Sequence, residues 1–76
     1  MGSMNNKLRD YELCARLTRG SKIEPEEWIE DTLVEAKNMA EAYKMAKTFG
    51  RIMAIENNAK LEDAYAIDLQ TYEYSD

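Results

Sequence analysis

Between Tyr11 and Arg19 apolar and polar side chains alternate with a period of two: Tyr11, Leu13, Ala15 and Leu17 fall on one side, Glu12, Cys14, Arg16 and Thr18 on the other. Successive side chains of a pleated strand point to opposite faces, so the pattern predicts a half-buried strand over residues 11–19. Gly20 and Ser21 break it, and residues 22–27 read as a loop carrying Pro25, the sole proline.

Residues 28–36 admit two structures. Trp28, Ile29, Thr32, Leu33 and Val34 are strand formers, and Asn38 with Glu41 three residues later is a capping pair that starts a fresh helix at Met39. In the other direction, Glu24-Pro25-Glu26-Glu27 has the proline and acids of a helix start. Ile29, Leu33, Ala36, Ala40 and Tyr43 then follow at four-three-four-three spacing, which one long helix over residues 25–49 would satisfy. Strand is favoured for residues 28–36, with the long helix as the alternative.

Met39, Ala42, Met45, Ala46 and Phe49 form a helical apolar stripe, and Gly50 offers the left-handed residue that ends a helix. The small alanines would let that helix lie close on a sheet, with Lys44, Lys47 and Arg51 toward the exposed side. Residues 52–55 read as a short buried strand and Asn57-Asn58 as a polar turn. Residues 65–74 alternate again, with Ile67 and Leu69 as core positions and Tyr72 and Tyr74 on the other face. The expected class is α+β: an antiparallel sheet with one helix packed on one face, in the order β-β-α-β-β. The long-helix alternative gives β-α-β-β.

Seventy-six residues, 45% hydrophobic and 33% charged, allow one domain with a modest core. Met1-Gly2-Ser3 before Met4 reads as a cloning remnant, leaving residues 4–76 as the single domain. No apolar run is long enough for a membrane span or a signal-peptide core, and a cytoplasmic location is expected. The net charge of −5 is laid down in blocks. Residues 24–35 carry Glu24, Glu26, Glu27, Glu30, Asp31 and Glu35 with no base, whereas residues 37–60 carry Lys37, Lys44, Lys47, Arg51 and Lys60 against Glu41 and Glu56. A two-toned surface follows, suited to steering a partner.

The chain has no histidine, which removes the Ser-His-Asp and Cys-His arrangements and any histidine-containing zinc site. Gly2, Gly20 and Gly50 form no phosphate-cradling loop. Cys14 lacks an activating base in the sequence and reads as a small packed residue. Glu26, Glu27, Glu30 and Asp31 could serve carboxylate chemistry, but a solvated face explains them without it. No enzymatic activity, cofactor or metal is expected. A pI near 4.7 without an aromatic-basic signature strand argues against direct nucleic-acid binding. Recognition of a partner protein remains, with Lys37, Lys44, Lys47, Arg51, Tyr72 and Tyr74 as candidate contacts.

The segments Thr32-Leu33-Val34-Glu35-Ala36, Glu41-Ala42-Tyr43-Lys44-Met45-Ala46 and Gly50-Arg51-Ile52-Met53-Ala54-Ile55-Glu56 resemble the strand-helix-strand core of small phage-encoded anti-CRISPR proteins, particularly inhibitors of type I surveillance complexes. The resemblance covers about a third of the chain. It implies a non-enzymatic inhibitor that docks on a Cas effector complex in the host bacterial cytoplasm and blocks nucleic-acid binding or assembly. Lys44 and Lys47 would occupy the exposed positions of the matching helix, with Arg51 just beyond its end. The acidity of residues 24–35 departs from a purely basic docking surface and leaves room for an acidic DNA mimic acting through Glu26, Glu27, Glu30 and Asp31. A structural or regulatory subunit that forms a homodimer through a sheet edge or Tyr72 and Tyr74 is the other alternative.

Overall fold

A computed structural model describes residues 7–75; the expected cloning remnant and the start at Met4 lie outside the described residues. Five elements follow one another: β1 (Arg9–Gly20), β2 (Pro25–Ala36), α1 (Met39–Glu56), β3 (Lys60–Asp68) and β4 (Tyr74–Ser75). The strands form one antiparallel sheet in the order β2-β1-β3-β4, with α1 on one face. This is the expected β-β-α-β-β class. Residues 28–36 are strand, and the long-helix alternative is excluded.

The register explains why β1 is central. Tyr11 stands between Val34 and Asp68, Leu13 between Thr32 and Ala66, Ala15 between Glu30 and Ala64, and Leu17 between Trp28 and Leu61. Those side chains share the face under α1, where Tyr11, Leu13, Ala15, Leu17, Ala64 and Ala66 are buried. Alanines do much of the spacing: Ala42 and Ala46 of the helix and Ala36 and Ala66 of the sheet are fully buried in the same cluster. Small side chains on both surfaces let helix and sheet approach closely, leaving Met39, Met45, Phe49 and Val34 to close the sides.

The capping pair behaves as expected. The Glu41 N–H donates to Asn38 Oδ1 at 2.9 Å, and Glu41 Oε1 accepts from the Lys37 N–H at 2.8 Å, so the reciprocal bond reaches one residue further back than a standard capping box. The first hairpin is tighter than expected. The loop is confined to residues 21–24, with Ser21 Oγ accepting from the Ile23 and Glu24 N–H groups, and Pro25 already begins β2. Gly20 enters the turn at φ +101, where a Cβ would stand 2.7 Å from the Glu24 carbonyl oxygen.

Three expectations are corrected. Gly50 does not end the helix, which runs on to Glu56, so residues 52–55 are helical rather than a strand and Arg51 lies inside α1 rather than beyond it. Gly50 is buried, and a Cβ there would meet Leu61 Cδ1 at 2.9 Å; close approach to β3, not backbone handedness, is its role. The helix stops instead at the Asn57-Asn58 turn, with Asn58 at φ 51. Second, residues 65–74 are not one strand. β3 ends at Asp68, whose Oδ1 accepts from the Gln70 N–H at 2.8 Å and whose carbonyl accepts from the Tyr72 N–H, turning the chain into the two-residue β4. Third, the buried face of β3 carries Ala64, Ala66 and Asp68, while Ile67 lies on the opposite face. Both parities of β3 hold apolar residues, and the one turned to α1 carries the small side chains Ala64 and Ala66, with Leu61 accommodated opposite Gly50.

Candidate interaction surfaces

The fold separates charge by layer. Lys44, Lys47 and Arg51 are exposed on α1 at spacings of three and four, which places them on one outward stripe. Lys47 Nζ sits 5.1 Å from the centre of the Tyr43 ring, one turn back. Lys44 borders a shallow groove between α1 and β2, lined by Leu13, Thr32, Val34, Met45, Phe49 and Ile52. Lys37 is exposed before the helix and does not join the stripe.

Among the described residues no helix lies against the other face of the sheet. Its rows follow from the register: Leu33, Glu12, Ile67 and Tyr74 run across all four strands, then Asp31, Cys14 and Tyr65, then Ile29, Arg16 and Asp63. Ile29, Leu33 and Tyr74 are 51%, 71% and 68% exposed. Tyr74 meets Tyr65 edge-on at 6.2 Å between ring centres. Tyr72 does not continue the strand: it lies in the turn at φ 62, where it lines a hollow with Met39, Asp68, Glu73 and Tyr74. The candidate contacts are therefore distributed over the helix stripe, the end of the sheet and the open sheet face. Sequence reasoning missed Ile29, Leu33 and Ile67 as surface residues, since an apolar residue in a strand is ordinarily assigned to the core.

The open face is acidic. Asp10, Glu12, Glu27, Asp31, Glu35 and Asp63 share its parity, against Arg16 and Lys60. Arg16 is already paired with Glu27, Nη1 to Oε2 at 2.7 Å. Partial burial, reinforced by the neighbouring Asp31 carboxylate, pushes the Glu12 carboxyl above its ordinary range. The charged form is then disfavoured in the folded state. The penalty is present above the raised folded value and gone below the ordinary carboxylate range. Glu12→Gln should therefore raise the urea midpoint at pH 7 without changing the slope, and the gain over the parent should fade as pH falls through the raised value. An equal shift at every pH would remove this electrostatic account.

The four carboxylates weighed as a cluster separate. Glu27 and Asp31 lie on the open face, whereas Glu26 and Glu30 point to the helix side, where Glu26 Oε1 pairs with Arg19 Nε at 3.0 Å and Glu30 Oε2 accepts from Trp28 Nε1 at 2.9 Å. Trp28 thus packs on the helix side, with the Arg19 guanidinium 5.1 Å over its ring.

Two further polar groups are structural. Asp68 is nearly buried, and its carboxyl is held below the usual range by the Gln70 N–H and by Arg9, whose Nη2 lies 2.8 Å from Oδ2. Its contribution to stability is present above the ordinary carboxylate range and lost as pH falls through the lowered folded value. Cys14 is 4% exposed, and burial, helped by the Glu12 charge, raises its thiol, which keeps it protonated and poorly nucleophilic. Among the described residues no cluster of three acidic, cysteine or histidine ligands could hold a metal ion, and no helix is long and apolar enough to cross a membrane. Comparison with protein-family models, curated proteins and solved structures finds no match to this chain.

Proposed function

We propose that this protein acts by docking on another protein, without chemistry of its own. The observation that carries this is the one-sided cover of the sheet: α1 occupies one face, and the other presents Ile29, Leu33 and Tyr74 to solvent among carboxylates. An apolar patch rimmed by charge is the usual form of a protein-binding surface. In its narrower form the proposal is an inhibitor, phage-encoded, that docks on a Cas effector complex and blocks nucleic-acid binding or assembly. That form rests on the resemblance of residues 32–36 and 41–46, because the third resembling segment is helical.

The test is a pull-down with tagged protein from the lysate of a CRISPR-bearing bacterium, read by mass spectrometry beside Lys44→Glu/Lys47→Glu. Both lysines are exposed, so the double variant should keep its stability within about 0.5 kcal/mol per site. Recovery of Cas subunits by the parent supports the inhibitor, and their loss with the variant places the contact on the helix stripe. Recovery of no Cas subunit by either protein removes the narrower form.

A further inference from the structure

We infer that the open face of the sheet takes a basic amphipathic helix of a partner protein; this deepens the docking function proposed above and rests on it. Leu33 and Ile29 of β2, with Ile67 and Tyr65 of β3, make two apolar columns on either side of β1. Carboxylates stand between and around them, and among the described residues neither Glu12 nor Asp31 makes an ion pair. An incoming lysine or arginine would remove the repulsion between those two groups while apolar side chains beside it covered Leu33 and Ile67.

Charge decides among the occupants. A second copy laid face to face across a two-fold axis would set like charges against like, and nucleic acid or an anionic membrane carries the same sign as the face. A small polycation would satisfy the carboxylates but leave the apolar columns wet. A protein segment with an apolar stripe flanked by lysine and arginine satisfies both. From the Glu35 row to the Glu27 row the face runs roughly 27 Å, the length of about 18 residues of helix. The opposite face already seats an 18-residue helix, α1, so the sheet has the dimensions to carry one on each side.

Two synthetic 18-residue helical peptides with the same leucine stripe, one flanked by lysines and one by glutamates, test this by calorimetry and by amide chemical-shift mapping on the intact protein. The lysine peptide should bind with shifts centred on Ile29, Leu33, Ile67 and Tyr74, and the glutamate peptide should not bind. Ile29→Ser/Leu33→Ser alters exposed positions, should leave the fold intact, as the amide spectrum of the variant checks, and should weaken binding about tenfold or more. Equal affinity for both peptides, absence of binding, or shifts centred on the outer stripe of α1 would overturn the assignment. So would self-association in sedimentation that expels the peptide, which would make a second copy the occupant. The pull-down separates the two proposals. A captured partner that survives Ile29→Ser/Leu33→Ser but is lost with Lys44→Glu/Lys47→Glu keeps docking and rejects this face. Selective, correctly mapped binding of the lysine peptide with no Cas subunit captured keeps the face and rejects the Cas target.

Discussion

Leu17→Ala is expected to lower the unfolding free energy by about 2–5 kcal/mol. Leu17 is fully buried between Trp28 and Leu61 on the central strand, near the β-bulge where the β1–β3 register shifts. Leu61, its partner on β3, faces Gly50 of α1, and removing the Leu17 side chain leaves a hole that the surrounding residues close only in part. A domain of this length holds about 4–11 kcal/mol in all, so a substantial part of the stability goes with one residue. Urea unfolding followed by far-ultraviolet circular dichroism reads the effect as a fall in midpoint at constant slope. A loss under 1 kcal/mol would mean that the end of the sheet near the hairpin turn does not share the core.

Ala46→Leu tests the other determinant, the spacing between helix and sheet. Ala46 is fully buried in the cluster formed with Tyr11, Leu13, Ala36, Ala42 and Ala66. A leucine there must either push α1 away from β1 and β3 or force its neighbours off their rotamers, and such overpacking costs about 1–3 kcal/mol. Ala40→Leu on the exposed side of the same helix makes the same chemical change with nothing to displace, and should stay within about 0.5 kcal/mol of the parent. If both substitutions were equally tolerated, the alanine contact would not set the distance between the layers.

These two sites mark where the fold was legible. The alternation over β1 named Tyr11, Leu13, Ala15 and Leu17 as one face, and all four are buried. Asn38 and Glu41 announced the helix start, because a side-chain cap is a local device whose partners lie within three or four residues. Local signals failed where one residue has two possible reasons for its place. Gly50 looked like a helix stop and is a close-approach glycine under Leu61. Tyr72 and Tyr74 looked like one strand face until Asp68 turned the chain between β3 and β4.

The candidate surfaces divide in the same way. The spacing of Lys44, Lys47 and Arg51 is a property of the helix itself, so the outward basic stripe could be drawn from sequence even though the helix proved about two turns longer than expected. The open sheet face could not. Its rows join residues 12, 33, 67 and 74, which lie far apart in the chain and come together only through strand pairing. The acidic block over residues 24–35 was visible as composition, yet pleating sends alternate members to opposite faces, so Glu27 and Asp31 part from Glu26 and Glu30.

By itself, then, the sequence determined the class, the order of the elements, the face of β1 that is buried and the start of the helix, all of which depend on periodicity and on contacts within a few residues. Only the tertiary structure decided which face of β3 lies inside and which apolar residues remain outside. One helix can cover one side of a sheet, and it settles on the side whose alanines let it approach, which leaves Ile29, Leu33 and Ile67 on the other.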